Sequence, residues 1–337
     1  MTSREKVRKL FDFASDAVPA FWTGCPHPET GEMYRKELGV ETNEQLFSHL
    51  RDDCRWLGAW GKYNHPEGRP VFDFHGGRQP KSLGDPGVLG DATTIAEVEA
   101  IPWPEAKYLD FTDAIANIRR HQHHAVFTGM WSSFFHELHA YFGMEEYFIK
   151  MYTHPEVVEA ATEKIVNFYL EGNERFFQQL GDAADIFMFG NDFGSQLDML
   201  CGPTEFNKFV LPSFKKFIDQ AHKFGKKAML HSCGAIGRVI PTLIDAGMDG
   251  LHPLQAKAVG MDAATLAREY KGKIVFMGGI DTQHLLIHAT PQEIKDEVRR
   301  VKDLLGPHLI VSPSHEAILP NVPLANVIAM AEATREG

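Results

Sequence analysis

The chain has 337 residues, of which 44% are hydrophobic and 23% charged, and a formal net charge of −11. That composition is globular and long enough for one large core, and the acidic balance, with no basic block to offset it, argues against non-specific nucleic-acid binding. No apolar run approaches the ~20 residues of a membrane-spanning helix. The cysteines, Cys25, Cys54, Cys201 and Cys233, are scattered and form no disulfide framework. With no signal peptide at the N-terminus, a reducing cytoplasm is the expected compartment.

Taken in chain order, eight short runs read as strands: "VPAFWTG" (18–24), "RPVFDFHG" (69–76), "AVFTGM" (125–130), "ADIFMFGND" (184–192), "KKAMLHSC" (226–233), "GLHPLQ" (250–255), "KIVFMGG" (273–279) and "HLIVSPS" (308–314). Helical patterns lie between most of them. Residues 154–181 carry apolar residues at 3–4 spacing and end at Gly181. Residues 202–225 are similar, with Pro212 predicting a kink or break. Residues 290–306 open on a Thr-Pro cap signal. Residues 25–68 are less regular and read as an excursion covering one end of the molecule. Residues 75–104 are rich in Gly and Pro and read as a long loop with one short helix.

Eight strands, each leading toward a helix, predict an α/β fold, a TIM (β/α)8 barrel. We expect one domain over 1–337. Residues 1–68 would hold the first strand and an N-terminal extension, residues 69–337 the remainder, with long loops over the mouth. Active sites in such barrels sit at the C-terminal strand ends. Several predicted strands end there in reactive residues: Asp192, His231 with Cys233, Gln255, Asp281 and His315.

The stretch "KKAMLHSCGAIG" (226–237) is the most specific. Side chains two apart on a strand share a face, so His231 and Cys233 project together, ~7 Å apart along the chain. That is half of a metal site; the alternative is a packed core pair. Asp192 suits a pocket role, orienting a ligand or accepting a proton, or else caps the following helix. Gln255 would point into the mouth, whereas the face of His252 is not fixed without a register. Asp281 reads equally as a helix cap or a ligand contact. "HQHHA" (121–125) precedes a strand, at the wrong end of the barrel, and reads as a solvated loop. "HELHA" (136–140) lacks the i, i+4 histidine spacing of the zinc-protease helix, which leaves His136 and His139 as candidates to line the mouth. Cys25 follows the first strand and is a lesser candidate to approach the metal. The aromatic run 130–148 is either core or an apolar wall facing a substrate.

The stretches "GNDFGSQ" (190–196), "LHSCGAI" (230–236), "GMDGLHPLQ" (247–255), "GGIDTQHLL" (278–286) and "SPSHEAILPNVPLANV" (312–327), with "GVLGDATTIAEVEAIPWPEA" (87–106) ahead of them, resemble the uroporphyrinogen decarboxylase superfamily in motif and order. One branch of that superfamily decarboxylates uroporphyrinogen without a cofactor; the other holds zinc-dependent methyltransferases that work with corrinoid proteins. The decarboxylase branch places an arginine-bearing segment at its first strand to hold the substrate carboxylates, a task suited to bidentate Arg. Here that place reads "VPAFWTGCPHPET", with no arginine.

The methyltransferase branch carries His-x-Cys and a late third ligand, usually Cys. This chain has His231 and Cys233 but lacks the late cysteine, so His315 or Glu316 of "PSHEA" would have to substitute. The resemblance thus implies a zinc-dependent methyltransferase. His231 and Cys233 would bind Zn2+ with His315 or Glu316, and Asp192, Gln255 and His315 would act on a small methylated substrate, a methoxy compound undergoing O-demethylation or a thiol. The chain has no Asp-x-His-x-x-Gly cobalamin motif, so a corrinoid would come with a partner protein. The resemblance also allows a homodimer. The competing expectations are a metal-free decarboxylase (lyase) using Asp192 and His315, and a non-catalytic ligand-binding barrel.

Overall fold

The computed structural model describes residues 1–79 and 85–336. Eight strands form one sheet: β1 (Ala20–Phe21), β2 (Cys54–Trp56), β3 (Ala125–Thr128), β4 (Ile186–Gly190), β5 (Lys227–His231), β6 (Gly250–Leu254), β7 (Val275–Ile280) and β8 (Leu309–Pro313). Their spatial order is β1-β8-β7-β6-β5-β4-β3-β2, and every pair is parallel. Helices surround the sheet, giving the expected TIM (β/α)8 barrel.

Strand alternation divides the apolar residues into two cores. Trp22, Cys54, Phe127, Met188, Met229, Met277 and Ile310 fill the barrel interior. The residues between them in sequence, such as Phe187, Leu230, Leu251 and Phe276, join the larger core under the helices. The N-terminal helix Ser3–Phe11 closes the bottom of the barrel, placing Val7, Leu10 and Phe11 in the interior core. Each of these side chains contributes about 1.5–3 kcal/mol by leaving water.

The seam between β1 and β2 is held by carboxylates. The Asp53 N–H donates to the Phe21 carbonyl (3.0 Å) and the Phe21 N–H to Asp53 Oδ2 (3.0 Å). The Thr23 N–H donates to Asp52 Oδ2 (2.8 Å). Asp53 also takes Lys6 Nζ at 2.8 Å and the Ser3 hydroxyl at 2.8 Å, so the seam and the helical plug share one anchor.

Seven strand expectations coincide with observed strands. The second does not: residues 69–76 form no strand, and β2 is "CRW" (54–56), inside the stretch read as an excursion. The alternation in 69–76 serves another purpose. Phe72 and Phe74 stack at 5.7 Å and pack on Tyr141, at 6.2 and 4.9 Å, anchoring a loop. Residues 80–84 of the predicted long loop lie outside the described residues, and its short helix is Ile95–Glu99. The other helices follow their signals. Pro155–Leu180 ends before Gly181, and Thr290 forms a capping box with Glu293. Ahead of Pro212 the chain makes a wide π turn, Phe206–Val210, before resuming as Leu211–Lys223. Among the described residues no helix is long and apolar enough to cross a membrane.

Candidate functional site

The β4–β5–β6 register builds the site. Gly190 lies beside His231, and His231 beside His252. The two imidazoles therefore face each other inside the barrel, with Nδ1 to Nδ1 at 2.9 Å. Beyond the strands, the loops after β4 and β5 approach through Gly194 and Gly234. A Cβ on Gly234, which has φ +91°, would fall 2.4 Å from the Gly194 carbonyl carbon. Only glycine fits this contact. The approach brings Asp192 over Cys233, whose N–H donates to Asp192 Oδ1 at 2.8 Å.

Three donor atoms converge there. His231 Nε2 is 3.6 Å from Cys233 Sγ and 3.5 Å from Asp192 Oδ1. A tetrahedral zinc, with bonds of ~2.0 Å to N or O and ~2.3 Å to S, separates such donors by ~3.3–3.6 Å. Two further donor groups adjoin this one: His231, His252 and Glu316, and Cys233, His315 and Glu316, each with its ligand atoms within 4.8 Å of one another. His252 Nε2 and Glu316 Oε2 are buried without a hydrogen-bond partner. Buried polar atoms are seldom left unpaired, so the pocket is built for an additional group. The donor types and spacing fit zinc.

The electrostatics suit the same use. Burial pushes the Asp192 carboxyl upward, but the adjoining His231 imidazole and the Cys233 N–H outweigh it and hold the pKa down to about 2. Asp192 is therefore a carboxylate at neutral pH. Burial, then the Asp192 and Glu316 charges, push the Cys233 thiol far up. It becomes a thiolate only when a cation joins it. Burial and the neighbouring His231 and His315 lower His252 well below the ordinary histidine value, so it is neutral.

Beneath the donors lies a closed circuit of rings. Trp131 lies 5.1 Å from His231, His231 lies 4.9 Å from His252, and His252 lies 5.2 Å from Trp22. Trp22 meets Trp56 at 6.4 Å, and Trp56 meets Trp131 at 5.0 Å. Gly190 makes room for Trp131, since a Cβ there would lie 1.9 Å from the indole. The floor of the mouth is thus rigid and apolar, which strengthens electrostatic interactions above it.

The other expected residues are placed as follows. Gln255 Oε1 accepts from Gln196 Nε2 (2.7 Å) and the Gly234 N–H (3.0 Å). His315 Nδ1 accepts the Ala317 N–H at 3.1 Å and lies 3.6 Å from Glu316 Oε2. Gln255 and His315 also line an adjoining cavity of about 540 Å³, with Lys257, Asn321, Leu319 and Val322 among its walls. Asp281 caps the turn after β7, accepting from the N–H groups of Gln283, His284 and Leu285. His136 joins the mouth, its Nε2 accepting the Asp192 N–H at 3.2 Å. His139 turns away among Phe135, Tyr147 and Phe148. His121 and His124 sit ahead of β3, 3.5 and 3.6 Å from Glu44. Cys25 joins none of the donor groups found among the described residues; burial, Glu316 and Asp52 raise its thiol to about 12.

Sequence reasoning missed Trp22 and Trp56, placed Trp131 only within the aromatic run 130–148 read as core or apolar wall, and left His252 open. A signal for the tryptophans existed: Trp22, Trp56 and Trp131 each stand at or just past the end of β1, β2 and β3. His252 needed the register.

Among solved structures, a methyltransferase from Methanosarcina mazei is similar over 99% of this chain and 98% of its own, with a TM-score of 0.65 and 16% identity. That likeness shows the fold. A Listeria monocytogenes protein assigned as a vitamin-B12-independent methionine synthase aligns over 95% of this chain and 98% of its own at 13% identity, with a TM-score of 0.43, too low to support an argument. No curated protein matches the chain. The uroporphyrinogen decarboxylase (URO-D) pattern matches residues 80–337, well over half of the chain, and with the barrel in place the chain belongs to the uroporphyrinogen decarboxylase (URO-D) family.

Proposed function

We propose that this protein is a zinc-dependent methyltransferase, moving a methyl group from a small methoxy compound or methylated thiol to a corrinoid carried by a partner protein. One observation carries the reading: in the barrel mouth His231 Nε2 stands at tetrahedral zinc spacing from both Cys233 Sγ (3.6 Å) and a carboxylate oxygen (3.5 Å), with all three donors within 4.8 Å of one another. His231 and Cys233 would hold the metal. When bound, zinc supplies Lewis acidity that stabilises the electron pair left on the donor's oxygen or sulfur as its methyl group departs. The chain's own residues do the rest. His252, hydrogen-bonded to His231, fixes that ring's orientation. Gln255 and His315 face the adjoining cavity, where they can position the substrate. The tryptophan floor keeps water from beneath the reacting atoms.

The cavity also weighs against a polycarboxylate substrate, because its described lining residues include a single lysine, Lys257, and no arginine. Uroporphyrinogen decarboxylation would need several bidentate partners.

The test is methyl transfer from a panel of methoxylated aromatics, methyl sugars and methyl thioethers to cob(I)alamin, read as methylcobalamin formation. The zinc-loaded protein is expected to methylate cobalamin from at least one donor, and Cys233→Ala to abolish it. Failure across the panel, with zinc bound, would sink the methyltransferase reading.

A further inference from the structure

We infer that the third protein ligand of the metal is Asp192, so that the site is a His–Cys–Asp centre in which a carboxylate replaces the late thiolate that this chain lacks. The inference rests on the zinc reading above. It departs from the sequence expectation, which looked for the third donor at His315 or Glu316.

Hydrogen bonding decides which atoms are free. The Nδ1 atoms of His231 and His252 are 2.9 Å apart, a hydrogen-bond separation. Two nitrogens on one tetrahedral zinc would stand ~3.3 Å apart. One imidazole therefore donates to the other, and Nε2 is the atom of His231 left to bind a metal. That nitrogen faces Cys233 Sγ at 3.6 Å and Asp192 Oδ1 at 3.5 Å. With the metal on His231 Nε2, the ring carries its proton on Nδ1 and donates it to His252 Nδ1. His252 is then protonated on Nε2, the atom found buried and unpartnered. A buried N–H needs an acceptor. Glu316 Oε2 is itself buried and unpartnered, in the same donor group as His252.

His252 Nε2, carrying that proton, is a donor and not a ligand, and Glu316, whose Oε2 makes no hydrogen bond and stands 3.6 Å from His315 Nδ1, is the rival carboxylate that the variants below set against Asp192. Asp192 is already fixed in the ligating position. Its Oδ1 receives the Cys233 N–H at 2.8 Å, and its own N–H is held by His136 Nε2 at 3.2 Å. His315 is less well disposed, because its Nδ1 is committed to the Ala317 N–H. A thiolate and a carboxylate neutralise the dication, and the fourth position remains for a non-protein ligand.

The experiment is zinc affinity by competition with a chromophoric chelator, for wild type and for Asp192→Asn, Glu316→Gln and His315→Asn. Cobalt(II)-substituted absorption spectra read the donor set separately from activity. Loss of a ligand costs more than the ~10–100-fold of an outer hydrogen-bonding partner. Asp192→Asn should therefore weaken zinc by more than ~100-fold and change the cobalt spectrum, while Glu316→Gln and His315→Asn weaken it by less and leave the spectrum tetrahedral and unshifted. A wild-type protein that binds zinc tightly, with Asp192→Asn unchanged or with Glu316→Gln the more damaging, overturns the Asp192 assignment and leaves the zinc reading standing. Wild type that binds no zinc overturns both. Circular dichroism of each variant separates loss of a ligand from loss of the fold, and an unfolded Asp192→Asn is replaced by Asp192→Glu, whose altered cobalt spectrum supports the assignment and whose unaltered one refutes it.

Discussion

Glu137 is buried at 9% exposure on the helix Phe134–Phe142, next to the His136 that holds Asp192. Its Oε1 accepts from the Ser133 hydroxyl (2.8 Å) and the Tyr169 hydroxyl (2.6 Å), and its Oε2 has no partner. Burial raises its pKa from 4.5 to about 7, against the lowering effect of those two hydroxyls. The native state therefore keeps a proton that the unfolded chain releases at lower pH. The unfolded state binds fewer protons in that window, so stability falls as pH rises from about 4.5 to about 7 and is level above it. At 1.36 kcal/mol per pH unit the loss is about 3 kcal/mol. With unfolding entropy of ~2.1 cal/mol/K per residue, that corresponds to about 4 °C in Tm for this chain.

Glu137→Gln keeps the acceptor for Ser133 and Tyr169 and removes the titration. Thermal melts of both proteins from pH 4.5 to 8 are the assay. The variant should gain on wild type by about 3 kcal/mol across the range. Each protein retains the slope from Asp52, which burial also raises to about 7, so the difference between them is the quantity to read. A difference that stays flat with pH would refute the reasoning and mean that Glu137 is ionised in the fold.

Gly190→Ala puts a methyl group 1.9 Å from Trp131 and should cost about 1–3 kcal/mol by overpacking. In a Trp131→Ala background the same methyl enters open space, so thermal melts of the four proteins should give a coupling energy of about the same size; equal cost in both backgrounds would contradict the account of the ring circuit.

Much of the fold was legible because short, near-continuous apolar runs ending in polar residues mark parallel strands buried on both faces, as in Ile186–Gly190 and Leu309–Pro313. The failure at β2 has a physical cause. "CRW" is three residues long and follows two aspartates, a composition that local reading rejects. Those aspartates are seam acceptors, and the buried Arg55 is paired with Glu44 at 2.6 Å from another element and donates to the Asp52 and Cys54 carbonyls. Residues 69–76 failed in the opposite direction: their alternation was real, but their partners are side chains of a helix and not a neighbouring strand. At the site, His231, Cys233 and Asp192 were visible as strand ends. Their convergence was not, because it depends on the Gly194–Gly234 contact between loops 40 residues apart. His252 waited on the β5–β6 register, and the tryptophan circuit on closure of the barrel.

The central claim is that "LHSCG" holds a metal. The direct measurement is zinc content by elemental analysis after equilibrium dialysis against zinc, wild type beside Cys233→Ala. The account predicts about one zinc per wild-type chain and a loss in the variant, as expected when a thiolate ligand is removed. Wild-type protein that remains folded and metal-free after dialysis, or a Cys233→Ala variant that keeps its full complement, would contradict it.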